Sequence, residues 1–356
     1  MKQSALRSQD ADKQTQPLKR LLLARGCALP SDPINGLAKE FRDQGIDVLL
    51  AGESFSTNPA RWMMLAWRSQ AIVFIRYKNA DGRFIRSQLY RAKLFGRPVI
   101  RWWVGTDVLN SLASEEASNA ARFIDQAVDL NIAVSPHLVS ELKEIGIEAE
   151  YVPSLSDLKN IGNPPAPDLP KGVLAYLPTK RRAFYGEKVV IAAIEANPEL
   201  PFFIVGDESH SLAHYPNVTS LGWVDDLEDV WAQTGVLLRV TEHDGMPRMV
   251  LDALARGRYV IYSQHFEGCW YARSAEEVLA RLNAFKNIKT LNSIGPKVTT
   301  TFSATAGTTY TEHVSQLVRN PWSAERLRTI IDSVSKLPAL LPNRLKPFSS
   351  AKAGHK

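Results

Sequence analysis

Two aspartates, Asp244 and Asp252, stand with seven residues between them in the run TEHDGMPRMVLDALARG, from 241 to 257. A turn with Gly245 and Pro247 leads into a predicted helix, because glycine permits close backbone approach and proline suits a helix start. The free N–H groups of a helix start attract an anion. Because the two carboxylates would flank that anion site, the run suits a ligand with phosphate and hydroxyl groups, such as a nucleotide sugar.

A structural interpretation of the same run competes with this one. Asp252 lies four residues from Arg248 and from Arg256, a spacing that pairs charges on one face of a helix. Buried strands are predicted at 236–240 and 259–262, before and after the run. In parallel sheets, ligands bind outside the carboxyl ends of the strands, and the Asp244 turn follows such an end.

The elements that must position this run alternate between short apolar strands and amphipathic helices from Leu18 onward, which predicts an α/β fold with parallel sheets. Four prolines between 163 and 172 predict a hinge between two doubly wound Rossmann-like domains that face a cleft. Residues 286–309, rich in Thr and Ser, carry no assignable pattern. The predicted division is a disordered tail 1–17, an N-terminal domain 18–162, the hinge 163–172, a C-terminal domain 173–320, and a helix with a basic tail 321–356.

The composition limits the class of protein. The chain has 356 residues, of which 45% are hydrophobic and 22% charged, as in globular proteins. Two distant cysteines argue against a disulfide scaffold, and the polar N-terminus predicts no secretory signal. No apolar run approaches the roughly 20 residues of a membrane span, so we expect a cytoplasmic protein. The formal net charge of +6 predicts anionic partners, which include nucleotides, nucleic acid and anionic membranes.

The acid–seven residues–acid run resembles the motif of retaining glycosyltransferases with the GT-B fold, the family 4-like "group 1" enzymes, in which both acids are usually Glu. Segments 103–108 (WVGTDV), 202–208 (FFIVGDE) and 216–245 also resemble family segments. The resemblance covers the pattern of most of residues 18–262. It implies a GT-B fold with an N-terminal acceptor domain and a C-terminal nucleotide-sugar domain. It also implies a metal-independent hexosyltransferase that uses a nucleotide sugar as substrate and needs no cofactor.

The resemblance also implies roles for individual residues. Asp244 would orient the hydroxyls of the donor sugar, and Asp252 would accept hydrogen bonds from the ribose. Tyr185 stands where the family has a diphosphate-binding lysine, so the charge would come from the basic residues just upstream; we favour Arg181 and Arg182 because arginine grips phosphate bidentately. A solvated basic loop is the alternative. The full predicted set is Asp244, Arg181 and Arg182 as catalytic residues; Asp252, Gly245, Met246, Pro247, Arg248, Met249, Gly222, Trp223, Val224, Lys180 and Gly26 in the donor site; and Gly105, Asp107 and His243 in the acceptor cleft.

A basic run leaves two interpretations open. Eight basic residues between 76 and 101 accompany a predicted helix with an apolar side. Such a helix binds an anionic membrane, or packs its apolar side on the sheet with solvated charges outside. On a neighbouring predicted helix, Trp62 and Trp67 flank two methionines at a spacing that predicts core positions. The basic residues are Arg76, Lys78, Arg83, Arg86, Arg91, Lys93, Arg97 and Arg101.

The leading functional hypothesis is a retaining glycosyltransferase with a nucleotide-sugar donor and a glycan or lipid-linked acceptor, in cell-surface polysaccharide or glycolipid synthesis. It would work in the cytoplasm, with the inner face of the cell membrane as the alternative place. A non-catalytic GT-B relative that binds nucleotide sugar or glycan as a scaffold is the main alternative, and a GT-B epimerase is another. Nucleic-acid binding is disfavoured because no recognition motif accompanies the basic run.

Overall fold

A computed structural model describes six stretches of the chain. The predicted tail, most of the predicted hinge and the C-terminal tail lie outside the described residues, as does Gly26. The described stretches are 17–24, 33–52, 58–76, 82–153, 169–318 and 324–336.

The first of two sheets contains six strands, all paired in parallel, in the order β2-β1-β3-β4-β5-β6. Its central strands are buried along their whole length because helices cover both faces, as parallel sheets require. The strands are β1 Arg20–Ala24, β2 Asp47–Leu50, β3 Ala71–Phe74, β4 Val99–Trp103, β5 Leu130–Ala133 and β6 Glu150–Tyr151.

The second sheet also has six parallel strands, in the order β12-β11-β10-β7-β8-β9. Separate apolar clusters fill its two faces, so both sheets are doubly wound and the predicted α/β class is confirmed. The strands are β7 Gly172–Tyr176, β8 Phe202–Val205, β9 Val218–Gly222, β10 Thr234–Arg239, β11 Tyr259–Tyr262 and β12 Trp270–Tyr271.

Helices connect most of the strands, and the described α-helices are numbered here in chain order. A short 3-10 helix, Ala183–Tyr185, follows β7. The α-helices are α1 Pro33–Asp43, α2 Pro59–Arg68, α3 Gly82–Lys93, α4 Thr106–Leu112, α5 Glu115–Asp125, α6 Pro136–Glu144, α7 Glu187–Ala196, α8 Glu228–Trp231, α9 Arg248–Ala255, α10 Ala275–Lys286, α11 Gly295–Leu317 and α12 Ala324–Lys336.

The segment without an assignable pattern contains the end of α10 and the first half of the long helix α11. Tyr310 of α11 is fully buried in the core of the first sheet, with its ring centroid 5.8 Å from that of Trp102 and 6.4 Å from that of Phe41. Helix α11 therefore packs on α9 of the second domain near its start and on the first domain near its end. The predicted second domain, 173–320, had included the whole of this helix.

Lys78 of the basic run lies outside the described residues. The run from Gly82 onward contains helix α3, whose apolar side packs on the first sheet, and β4. Its charges are largely engaged: Lys93 Nζ lies 2.8 Å from Asp129 Oδ1, and the Arg86 guanidinium lies 4.2 Å from the Phe123 ring. On α2, Trp62 is buried as predicted, but Trp67 is 62% exposed. The core prediction for Trp67 is wrong because Trp67 lies with Met64 on the outer face of α2, whereas Leu65 and Ala66 beside them are buried.

The loop after β7 packs tightly against the end of β10. Glu242 donates its N–H to the carbonyl of Phe184 at 2.9 Å. Gly186, just before α7, has φ 72°, and a Cβ at this position would overlap the carbonyl oxygen of Val240. Only glycine fits both the left-handed backbone and the close approach.

A side chain at Gly186 should therefore lower the free energy of unfolding by more than the strain of a left-handed backbone alone. Gly45 is the matched control, since its φ is 78° and a Cβ there would meet nothing within 4 Å. We expect Gly45→Ala to lower the free energy of unfolding by about 1 kcal/mol, and Gly186→Ala by about 3 kcal/mol because an overlap is added. Urea denaturation measures both, and equal losses would contradict the close packing of these loops.

Candidate functional site

The second sheet reverses its strand order at β7, which pairs with β8 on one side and β10 on the other. Ligands of doubly wound sheets bind outside the carboxyl ends of strands at such a switch point. The loop after β7 carries Lys180–Arg182, and the loop after β10 carries Asp244. The loops lead into α7 and α9, and neither helix has a side-chain cap at its N-terminus. At the start of α9, the N–H groups of Arg248 and Met249 make no hydrogen bond among the described residues. At the start of α7, Glu187 and Val189 already donate to backbone carbonyls, so the N–H of Lys188 is the one that stays available there.

The Asp244 carboxylate is held by Arg239, the last residue of β10. Arg239 places Nε 2.9 Å and Nη2 2.8 Å from the same oxygen, Asp244 Oδ2. The other oxygen, Oδ1, accepts the N–H of Gly245 at 3.1 Å. Although burial disfavours its charge, the carboxylate of Asp244 raises the pKa of Arg239. The predicted catalytic carboxylate is thus one half of an ion pair that is largely shielded from solvent.

Two histidines join the Asp244 loop to helix α6 of the first domain. His137 donates from Nε2 to the backbone carbonyl of Asp244 at 2.7 Å. His243 Nε2 lies 2.9 Å from Oε2 of Glu141. The two imidazole centroids are 6.1 Å apart. His243 is therefore brought to the meeting of the two domains, where its side chain is buried against Glu141.

Glycines bring the backbones of the two domains together. Gly105 follows β4 with φ 122°, and a Cβ there would lie 2.8 Å from the backbone nitrogen of Gly245. A Cβ at Gly245 would in turn overlap the carbonyl oxygen of Val104. The structure thus places two of the predicted residues, Gly105 and Gly245, in direct contact.

Asp107 has a different place from the one predicted. It is fully buried and accepts the N–H groups of Val104, Gly105 and Val108 at 2.9 to 3.0 Å. Burial raises its pKa, while Arg101 and these N–H groups act in the opposite direction. Because no part of Asp107 reaches the surface, it holds the Gly105 turn in shape rather than lining the cleft.

Asp252 lies on α9 with one oxygen paired and one not. Oδ2 is 3.6 Å from Nε of Arg248, whose side chain is 70% exposed, so the pair is weak. Oδ1 is buried and has no hydrogen-bond partner among the described residues. Desolvation by burial raises the pKa of this carboxyl. Arg256 pairs with Glu228 instead. The structural interpretation of the motif therefore accounts for only one oxygen of Asp252.

The turn between Asp244 and α9 offers a ligand backbone N–H groups rather than side chains. Pro247 immediately precedes α9, which begins at Arg248. Met246 packs on the core of the first domain, and Met249 packs on the core of the second. Their side chains are thus occupied in packing, and the N–H groups of the helix start are what this turn offers a ligand.

An exposed tryptophan follows the end of β9. Gly222 ends this strand with φ 67°, and Trp223 is 61% exposed, with Nε1 donating to Asp225 Oδ1 at 3.0 Å. Val224 packs on the core below. Since the indole is fixed by its hydrogen bond and open to solvent, it offers an aromatic surface on which a base could stack.

The three basic residues after β7 differ in their surroundings. Lys180 and Arg181 are exposed, and the Arg181 guanidinium lies 4.0 Å from the Phe184 ring. Arg182 lies 2.5 Å from Glu187 and 3.0 Å from Asp207. Burial opposes ionisation of Asp207, but hydrogen bonds from Ser209, Ser211 and Arg182 lower its pKa well below the usual range.

Arg182 is therefore already neutralised by two carboxylates.

Three residues of the site were not predicted from the sequence: Arg239, His137 and Glu141. Each is an isolated polar residue whose partner lies in another element. The one signal for Arg239 was a charge at the end of an otherwise apolar strand.

The described ranges contain neither a cluster of metal-ligating residues nor a membrane-spanning helix. No group of three or more His, Cys, Asp or Glu residues is arranged there to hold a metal ion. No helix in the same ranges has the length and apolar character that crossing a membrane requires.

Comparisons with known proteins identify the fold. No protein-family model matches the chain, and no match was found among curated proteins. The structure of Anabaena HepE in complex with UDP and glucose is similar with a TM-score of 0.58 at 13% identity, covering 90% of this chain and 100% of that one. Sucrose-phosphate synthase from Thermosynechococcus elongatus gives 0.56 at 15% identity, with 90% and 100% covered. At such identities the likeness shows the fold alone, and the predicted GT-B architecture is confirmed.

The buried, half-paired carboxylate of Asp252 should cost stability in the free protein. We expect Asp252→Asn to raise the free energy of unfolding at pH 7 by about 1 kcal/mol, because an amide is cheaper to bury than an unpaired charge. Because the folded-state pKa is raised, Asp252 destabilises the fold above that pKa. The stability gained by Asp252→Asn should therefore shrink as the pH falls through the folded-state pKa of Asp252. It should vanish below about 3.9, the pKa of the carboxyl in the unfolded chain.

Urea denaturation between pH 7 and pH 4 measures this difference. The exposed Asp229→Asn is the control and should change stability little at either pH. A loss of stability in Asp252→Asn at pH 7 would show that the carboxylate is satisfied in the free protein.

Proposed function

We propose that this protein is a retaining glycosyltransferase that moves a sugar from a nucleotide-sugar donor to a glycan or lipid-linked acceptor. The observation that carries the proposal is the meeting of two uncapped helix starts and two carboxylates, Asp244 and Asp252, at the switch point of the second sheet. Helix starts suit a diphosphate, and carboxylates suit the hydroxyls of the two sugars that flank it.

In the proposed donor complex, the diphosphate lies at the starts of α7 and α9. The ribose hydroxyls donate to Asp252, whose Oδ1 has no partner among the described residues. The base lies near Gly222 and stacks on Trp223. UDP is the first nucleotide to consider, because the similar HepE structure was solved with UDP and glucose.

The proposed chemistry is electrostatic. As the bond to the anomeric carbon breaks, negative charge grows on the leaving diphosphate, and the N–H groups at the helix starts stabilise it. Asp244 orients the hydroxyls of the transferred sugar, which becomes cation-like. The acceptor enters from the first domain beside Gly105, and the leaving phosphate takes its proton. This scheme assigns no step to a metal ion.

A scaffold function is the second candidate, and one observation favours it. Asp244 is tied to Arg239 through its side chain and to His137 through its carbonyl, so a donor must compete with contacts that already exist. A protein that only binds a nucleotide sugar or glycan could keep these contacts throughout.

Substitution of Asp244 separates an enzyme from a scaffold. We expect Asp244→Asn to lower the release of UDP from UDP-sugars about 100-fold, because an amide cannot supply the negative charge beside a cation-like sugar. Asp244→Glu is the matched control: it keeps the charge and the pairing with Arg239 and should retain measurable turnover. Circular dichroism verifies that both variants fold.

Coupled detection of UDP, with glucose, galactose and N-acetylglucosamine donors, follows this reaction. A wild-type protein that binds UDP-sugars but releases no UDP, in the presence of glycan or lipid acceptors, would support the scaffold instead.

The proposed work on a lipid-linked acceptor in polysaccharide or glycolipid synthesis calls for contact with an anionic membrane. Helix α3 is poorly suited, since its charges are engaged and Lys336 of α12 lies 5.9 Å from the Tyr90 ring on it. Helix α2 fits better, because Trp67 and Met64 are 62% and 47% exposed. Exposed Arg61 and Arg68 accompany them, and an amphipathic aromatic beside basic residues is typical of interfacial helices.

The α2 surface gives a direct test of membrane contact. We expect Trp67→Ser to weaken co-sedimentation with anionic phospholipid vesicles about tenfold at low salt, because the indole loses its buried apolar area. Ile331→Ser on α12 removes an equally exposed apolar side chain, 68% exposed, and should change little. Absence of vesicle binding by the wild type, or equal effects of both variants, would rule out α2 as the membrane contact.

A further inference from the structure

The proposed donor brings a diphosphate to the switch point, and the basic loop after β7 is poorly prepared to neutralise it. Arg182 is held between Glu187 and Asp207, so its charge is already balanced, and its Nη2, which makes no hydrogen bond among the described residues, is buried. Arg181 is exposed and lies over Phe184. Lys180 is exposed as well. Exposed cations are strongly screened by solvent, so this loop alone supplies little charge to a bound phosphate.

Arg239 is another cation at the switch point, and it pairs with one carboxylate rather than two. It ends β10 at the switch point, and its side chain is 11% exposed. Both Nε and Nη2 bind one carboxylate oxygen, Oδ2 of Asp244. The third nitrogen, Nη1, has no hydrogen bond or ion pair among the described residues. Asp244 Oδ1 likewise accepts only the N–H of Gly245 there. The pair therefore keeps a free donor and a free acceptor.

Aromatic rings surround this guanidinium. Its carbon lies 5.4 Å from the ring centroid of Tyr176, at the end of β7, and 5.7 Å from that of Tyr185. Tyr185 stands where the resemblance places a diphosphate-binding lysine. The positive charge beside that position thus comes from β10 rather than from the loop after β7. Aromatic faces and a shielded site strengthen the field of a cation.

We propose that Arg239 binds the donor diphosphate and replaces the lysine that Tyr185 displaces. This inference rests on the proposed function. Arg239 reaches the diphosphate through Nη1, and Asp244 reaches a hydroxyl of the transferred sugar through Oδ1. One ion pair would in this way bind both the leaving group and the transferred sugar.

The test compares UDP with uridine, which differ by the diphosphate alone. We expect Arg239→Met to weaken UDP binding roughly 30-fold by calorimetry, within the range for a charge-assisted hydrogen bond, while uridine binding stays unchanged. Because Met leaves Asp244 without its partner, the double variant Arg239→Met with Asp244→Asn removes both buried charges together. It should fold and show the same selective loss.

Two further variants sharpen the test. Tyr185→Lys added to Arg239→Met returns a cation to the loop and should recover much of the UDP affinity. Arg181→Met removes a cation that the sequence had favoured for diphosphate binding. It should weaken UDP binding less than threefold.

Three results would overturn the role of Arg239: unchanged UDP affinity in the double variant, equal losses of UDP and uridine, or a larger loss in Arg181→Met. If the wild type binds none of UDP, GDP and ADP, the proposed function itself fails, and the role of Arg239 fails with it.

Discussion

The close contact between the Gly105 turn and Gly245 is the constraint on which the site depends. The backbones meet so closely that a side chain at either position would strike the other turn. His137 adds a hydrogen bond to the carbonyl of Asp244 from the same domain. The Asp244 loop therefore has its position set by the first domain and its carboxylate set by Arg239 of the second. A change in the angle between the domains would move the carboxylate directly.

Unused polar groups at the switch point give the site its chemical character. The fold satisfies Asp107 and Asp207 with several donors each, and these two aspartates are structural. Asp252 and Asp244 instead keep a buried or nearly buried oxygen with one partner or none among the described residues. Folding alone gives no reason to bury an unpaired carboxylate oxygen, since it costs stability. A ligand that donates hydroxyl groups would provide the missing partners.

Much of the fold was predictable because its signals are local. Apolar strands alternate with amphipathic helices, and the Asp244–Asp252 run marks the loop after β10. Helix α11 was missed because its Thr-rich first half has weak helix propensity and is stabilised by packing on α9. The Arg239–Asp244 pair was missed because its five-residue spacing spans a strand end, where no helical rule applies. The burial of Asp107 and the exposure of Trp67 depend on how helices and strands pack on one another. The local sequence pattern of one segment does not predict that packing.

If the switch point of the second sheet is a nucleotide-sugar site, nucleotides should bind there and stabilise the fold. The measurement is the thermal stability of the wild type and of Asp252→Ala with UDP, GDP, ADP and CMP. We expect one nucleoside diphosphate to stabilise the wild type, by about 2.7 kcal/mol at a hundredfold excess over Kd. Asp252→Ala should lose most of that effect. No stabilisation by any nucleotide, or equal stabilisation of both proteins, would contradict a nucleotide-sugar site there.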